Sequence, residues 1–118
     1  MDLKGYEEFV IGLMSPASTE STESRMAVAG LGLGGEGGEC ADLAKKVLFH
    51  GLEFDDGVRQ KLIKELGDVM FYVAFAAREV CGVSLEYVIN QNMDKLRARY
   101  KEGKFSVDEF LAKERGKG

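Results

Sequence analysis

The chain has 118 residues, of which 45% are hydrophobic and 31% charged, with a net charge of −4 and a pI near 5.1. That is the length and composition of one globular domain with a modest core, so residues 1–118 are read as a single domain. The acidic balance argues against a general binder of nucleic-acid polymers, which usually carries a basic excess.

The first predicted element is a helix over residues 3–14. Tyr6, Phe9, Val10, Leu13 and Met14 recur at helical spacing, and Asp2 suits the N-cap. Residues 15–24, with Pro16 and a Ser/Thr cluster, read as a loop.

Residues 25–50 read as a second helix with an unusual first half. Gly30, Gly32, Gly34, Gly35, Gly37 and Gly38 crowd into it, each costing a helix interior about 1 kcal/mol relative to Ala. Gly30-x-Gly32-x-x-Gly35 matches a dinucleotide-binding string, but no strand precedes it and none is available to pair, so a phosphate loop is disfavoured. Glycines that admit a closely packed neighbouring backbone explain the run better. The stripe Leu33, Glu36, Cys40, Leu43 and Val47 continues through it, with Glu36 in its middle and Glu39 at its edge. An acid inside an apolar stripe is costly without a partner. A metal, a buried salt bridge or a helix end reaching solvent would each supply one.

Residues 51–57 form a turn, with Gly51 as a helix C-cap and Asp55 or Asp56 capping the next helix. His50 fits a helix C-terminus. The third helix covers 58–82, with Leu62, Leu66, Val69, Met70, Val73, Ala77 and Val80 as its core stripe. Glu65 and Asp68 run along its flank, and Phe71 and Phe75 lie opposite. The run Val69–Ala77 is apolar nearly all round, which predicts burial on several sides and hence an oligomer. The same run is too short to span a membrane, and Met1-Asp2-Leu3-Lys4 begins no signal peptide, so a cytoplasmic protein is expected. Cys40 and Cys81 are expected as buried, reduced thiols.

Gly82-Val83-Ser84 closes this helix and opens a fourth over 85–101. Its stripe is Leu85, Val88, Ile89, Met93, Leu96 and Tyr100, with Asn92 in the middle and Lys95 at the edge. Residues 102–118 are a charged, peripheral tail that Phe105, Phe110 and Leu111 could dock. With one proline and no strand-like alternation, the chain is expected to be all-α.

The polar exceptions converge. Glu36/Glu39 and Glu65/Asp68 are acid pairs three residues apart, each on one helical face. Four facing carboxylates repel unless a cation sits among them, and an all-oxygen set suits a hard ion such as Mg²⁺ or Mn²⁺. His50 is the only histidine and lies outside any Glu-x-x-His motif, which disfavours a di-iron bundle; zinc lacks a Cys/His cluster.

Three segments carry a family resemblance: Gly32–Glu39, Lys64–Val69 and Asn92–Tyr100. Their Glu-x-x-Glu, Glu-x-x-Asp and Asn-x-x-Lys-Leu-x-x-Arg-Tyr patterns resemble the MazG-like all-α nucleoside triphosphate pyrophosphohydrolases, over residues 25–105. The short single-domain form looks like the phage type. The resemblance implies a four-helix bundle assembling as a dimer or a dimer of dimers. It implies Mg²⁺-dependent cleavage of a nucleoside triphosphate to the monophosphate and pyrophosphate. Glu36, Glu39, Glu65 and Asp68 would be the metal ligands and catalytic acids, with Glu39 favoured as general base. Lys95, Lys46 and Arg99 would meet the phosphates, Asn92 would fix a ligand or sugar, and Tyr100 completes the substrate-binding set. The phage-type likeness points to a purine deoxynucleotide such as dGTP. The alternatives are a pyrimidine (dUTP or dCTP) pyrophosphatase, or a non-enzymatic, metal-stabilised helical interaction module.

Overall fold

The computed structural model describes residues 1–100 and 107–116, and every described element is helical. The chain divides into two compact units, Met1–Leu85 and Glu86–Gly118.

The first unit opens with α1, Leu3–Leu13. Asp2 caps it as expected, its Oδ1 accepting from the Gly5 N–H at 2.7 Å. The expected loop is shorter than the sequence suggests. Pro16–Thr19 forms a 3₁₀ turn, and Ser21 caps α2 by accepting from the Ser24 N–H at 3.0 Å. Helix α2 then runs unbroken from Thr22 to Phe49, straight through the glycines.

Two positive-φ glycines end helices. Gly51 (φ 76°) follows α2, whose Lys46 carbonyl accepts from both the His50 and Leu52 N–H groups. Gly82 (φ 67°) follows the third helix. Asp55 caps α3, Asp56–Phe75, by accepting from the Val58 N–H at 2.9 Å. A π-helical turn, Ala76–Val80, extends α3, and the Cys81 N–H closes on the Ala76 carbonyl.

The core consists of Val10, Ala29, Ala74, Phe75 and Leu85, with Tyr6, Phe71 and Val80 among the side chains packed on it. This revises the expected orientation of α3 in part: Ala77 of the predicted stripe is buried and Val73 and Val80 pack on the core, as expected. Phe75 is fully buried, whereas Leu66 and Met70 of the predicted stripe are 52% and 39% exposed. Where a helix is apolar nearly all round, periodicity cannot select its inner face. Here α1 and Leu85 lie against the aromatic side. The cysteines also depart from expectation: Cys40 is half-buried, and Cys81, past the end of the π turn, is exposed.

Only part of the glycine reading holds. A Cβ at Gly32 would overlap the Tyr72 ring, so this residue does admit a close α2–α3 contact. Gly30, Gly34, Gly35, Gly37 and Gly38 have open space where a Cβ would stand.

Glu7 is an unforeseen element of the core. It is 2% exposed, and its carboxylate accepts from the Leu85 N–H and faces Arg78 Nη1 at 3.4 Å. Arg78 also reaches Glu8 Oε1 at 3.2 Å. One carboxylate therefore ties α1 to the π turn and to the start of the next helix.

Helix α4, Leu85–Arg99, enters the second unit from Glu86 onward, and that unit also contains α5, Val107–Gly116. Five α-helices are thus described where four were expected, the fifth lying in the predicted tail. Phe110 and Leu111 lie on α5, while Phe105 lies outside the described residues. Ile89, Met93 and Leu96 of the α4 stripe are each more than a third exposed.

Two stability outcomes follow. Gly32→Ala should destabilise the fold by about 1–3 kcal/mol through overpacking against Tyr72, while Gly30→Ala should stabilise it by about 1 kcal/mol, read from urea midpoints. Glu7→Ala should cost about 3 kcal/mol by stranding the Leu85 N–H and weakening the Arg78 clasp, and Glu7→Gln should cost less because an acceptor remains.

Candidate metal and nucleotide site

Helices α2 and α3 pack as an antiparallel pair joined by a short turn. Gly32 meets Tyr72, and nearer the turn Leu43, Lys46, Lys61 and Glu65 line one cavity. Between those levels, Glu36 of α2 meets Glu65 and Asp68 of α3. One carboxylate oxygen from each of these three lies within 4.8 Å of the others.

Glu36 shows the cost of that arrangement. Its carboxyl is held above the ordinary carboxylate range, first by partial burial and next by a hydrogen bond with Glu65. Repulsion from Asp68, Glu65 and Glu39 adds to the effect. Burial, with Asp68's charge beside it, also raises the Tyr6 phenol, so Tyr6 reaches the site's electrostatic neighbourhood from α1. A proton can relieve the crowding on Glu36, and so can a cation.

The donor set fits a hard divalent cation: three carboxylates, two of them half-buried and the third exposed to admit water or substrate oxygens. Glu36, Glu65 and Asp68 are the residues that would hold it. Glu39, the fourth predicted ligand, falls outside this triad. Three residues further along α2, it lines the adjoining cavity of about 250 Å³ with Asp42, Leu43, Lys46, Lys61 and Glu65. Lys46 is in place there as expected, with Nζ 3.0 Å from Asp42 Oδ2. Lys45 approaches Asp42 Oδ1 at 3.3 Å, and the two ammonium groups hold the Asp42 carboxyl below its usual range.

The remaining predicted residues belong to the second unit. Asn92, Lys95 and Arg99 are exposed on α4, Tyr100 is half-buried just after it, and the Arg99 guanidinium lies 5.5 Å from the centre of the Tyr100 ring. Sequence reasoning overlooked Tyr6, Asp42 and Lys61. Lys61 was accessible in principle, because it lies one turn before Glu65 on the same face of α3. Tyr6 carried no such signal, since only tertiary packing brings α1 to Asp68.

Helices α2 and α3 thus present three clustered carboxylates beside a lysine-bearing cavity, in a chain whose described elements are all helical. The MazG nucleotide pyrophosphohydrolase domain matches residues 28–104, and the chain belongs to that family. It is also similar to the Gene 37 protein of Mycobacterium phage L5, with 42% identity over 78 residues, covering 62% of this chain and 64% of that protein. The chain therefore spans somewhat less than two thirds of the length of this curated relative. No solved structure matches it. Among the described residues, no helix is long and apolar enough to cross a membrane.

Removing one charge from the triad should separate stability from metal binding. Glu65→Gln should raise the melting temperature of the metal-free protein by roughly 2–5 °C through relief of like-charge repulsion. The same variant should lose most of the stabilisation that added Mg²⁺ gives the wild type, measured by thermal denaturation with and without the ion.

Proposed function

We propose that this chain is a divalent-metal-dependent hydrolase that cleaves a nucleoside triphosphate between its α and β phosphates, yielding the monophosphate and pyrophosphate. The observation that carries this reading is the Glu36, Glu65 and Asp68 triad, which falls within the segment matched by the family. Mg²⁺ is the ion of choice for such a set, and Mn²⁺ suits the same oxygens. When bound, the ion supplies charge neutralisation at the phosphates and acidifies nearby water.

The chain's own residues supply the rest. Glu39 stands outside the triad yet beside Glu65, where it serves as general base and takes the proton of the attacking water. That water attacks the α phosphorus, the bond from phosphorus to the α–β bridging oxygen breaks, and pyrophosphate leaves. Lys46, held by Asp42, faces the departing charge. Lys95 and Arg99 of α4 are assigned to the phosphates, and Asn92 and Tyr100 to the nucleoside. The whole chain, 1–118, is taken to work as one domain in the cytoplasm, with a purine deoxynucleotide such as dGTP as the first substrate to test.

The working unit is a homodimer or homotetramer. Ile63, Leu66 and Met70, on one face of α3, are 46%, 52% and 39% exposed, and Phe9 and Leu13 of α1 are 62% and 60% exposed. Apolar faces of this kind are covered in a stable protein.

The decisive experiment is a panel of the common nucleoside triphosphates with Mg²⁺, with products resolved by chromatography. Monophosphate and pyrophosphate are expected, and Glu36→Ala or Asp68→Ala should reduce turnover at least ~10²-fold with the helical circular-dichroism signal intact. Inorganic phosphate with a diphosphate would relocate the cleaved bond. A preference for dUTP or dCTP would reassign the base. No turnover of any nucleotide, with metal binding intact, would leave a metal-stabilised interaction module.

A further inference from the structure

Lys61 has no role in the reading given above, yet its position is specific. It lies on α3, one turn before Glu65, and lines the same cavity of about 250 Å³ as Lys46 of α2. The cavity shares Glu65 with the carboxylate triad, so it continues from the cation site along the α2–α3 groove toward the joining turn. Its other polar walls are Glu39 and Asp42.

The two lysines differ in how they are held. Lys46 is paired with Asp42 at 3.0 Å, and Asp42 is shared with Lys45. Lys61 makes no ion pair within 4 Å among the described residues. An uncommitted ammonium at the end of a groove that starts at a cation site is placed to receive an anion longer than one phosphate. Along the two helices the lysines stand nearer the joining turn than the triad acids do.

We propose that Lys61, together with Lys46, forms a binding site for the terminal two phosphates of the substrate, and so for the pyrophosphate product. This assignment rests on the phosphohydrolase reading and deepens it by giving the polyphosphate a direction. The reacting α phosphate lies by the triad, and the β and γ phosphates extend toward the α2–α3 turn. Lys61 approaches from the α3 wall and Lys46 from the α2 wall. A nucleoside monophosphate, its phosphate at the triad, would leave Lys61 without a contact.

The test uses the full-length protein and inorganic pyrophosphate as the probe, titrated by calorimetry in the presence of Mg²⁺, alongside the nucleotide panel. Lys61→Met should weaken pyrophosphate binding on the order of tenfold, the loss of one charge-assisted contact, and Lys61→Arg should recover most of it. A nucleoside monophosphate, measured the same way, should bind Lys61→Met and wild type alike. Lys45→Met, which removes an equal charge that touches Asp42 but does not line the cavity, should bind pyrophosphate within twofold of wild type. Unchanged pyrophosphate affinity in Lys61→Met would overturn the assignment and leave the phosphohydrolase reading standing. Equal losses in Lys61→Met and Lys45→Met would overturn it too, by reducing the effect to net charge. A wild type that neither binds pyrophosphate nor releases a monophosphate would overturn both.

Discussion

Two helices that pack side by side with carboxylates in the seam must balance apolar attraction against like-charge repulsion. That balance governs the first unit. Helices α2 and α3, of 28 and 20 residues, bring Glu36 against Glu65 and Asp68. The cost is visible in the raised carboxyl of Glu36. Contacts on either side of the acids offset it. One turn beyond Glu36, Gly32 admits the Tyr72 ring; toward the joining turn, Cys40, Leu43, Val47 and Leu62 line an apolar pocket along the same pair of helices. The acids are held together by neighbours that are not acids, so the site is formed before any ligand arrives.

Glu7 has a comparable role away from the seam. It is a buried charge with hydrogen-bond partners, the condition under which burial of a carboxylate is tolerated. It fixes α1 against the π turn, and α1 brings Tyr6 toward Asp68. The clasp and the acid triad are therefore linked through a single turn of α1.

Much of this was legible in the chain. The caps at Asp2 and Asp55 and the turn at Gly51 follow from local chemistry that hardly depends on tertiary context. The acid pairs were legible as i, i+3 spacings, and both acids of the Glu65/Asp68 pair enter the triad. The Glu36/Glu39 pair splits, Glu36 meeting the α3 acids and Glu39 lining the adjoining cavity, an outcome that the shared i, i+3 spacing does not distinguish. The inner face of α3 was only partly legible: Val73, Ala77 and Val80 face the core as expected, but Leu66 and Met70 match Phe71 and Phe75 in hydrophobicity and only the neighbours decide between them. Glu7 and Tyr6 acquire their positions from contacts across the fold, which a local pattern does not encode.

The open glycines of α2 have a consequence for the motion of the site. With no Cβ at Gly34, Gly35, Gly37 and Gly38, water approaches the main-chain hydrogen bonds on both sides of Glu36. Each of these residues lowers the cost of opening a turn by about 1 kcal/mol relative to alanine. Amide protons there should exchange with solvent sooner than those of the facing turns of α3, where Gly67 alone lacks a side chain. The wall of the site that carries Glu36 is thus the one able to yield locally, while Glu65 and Asp68 stand on the firmer helix.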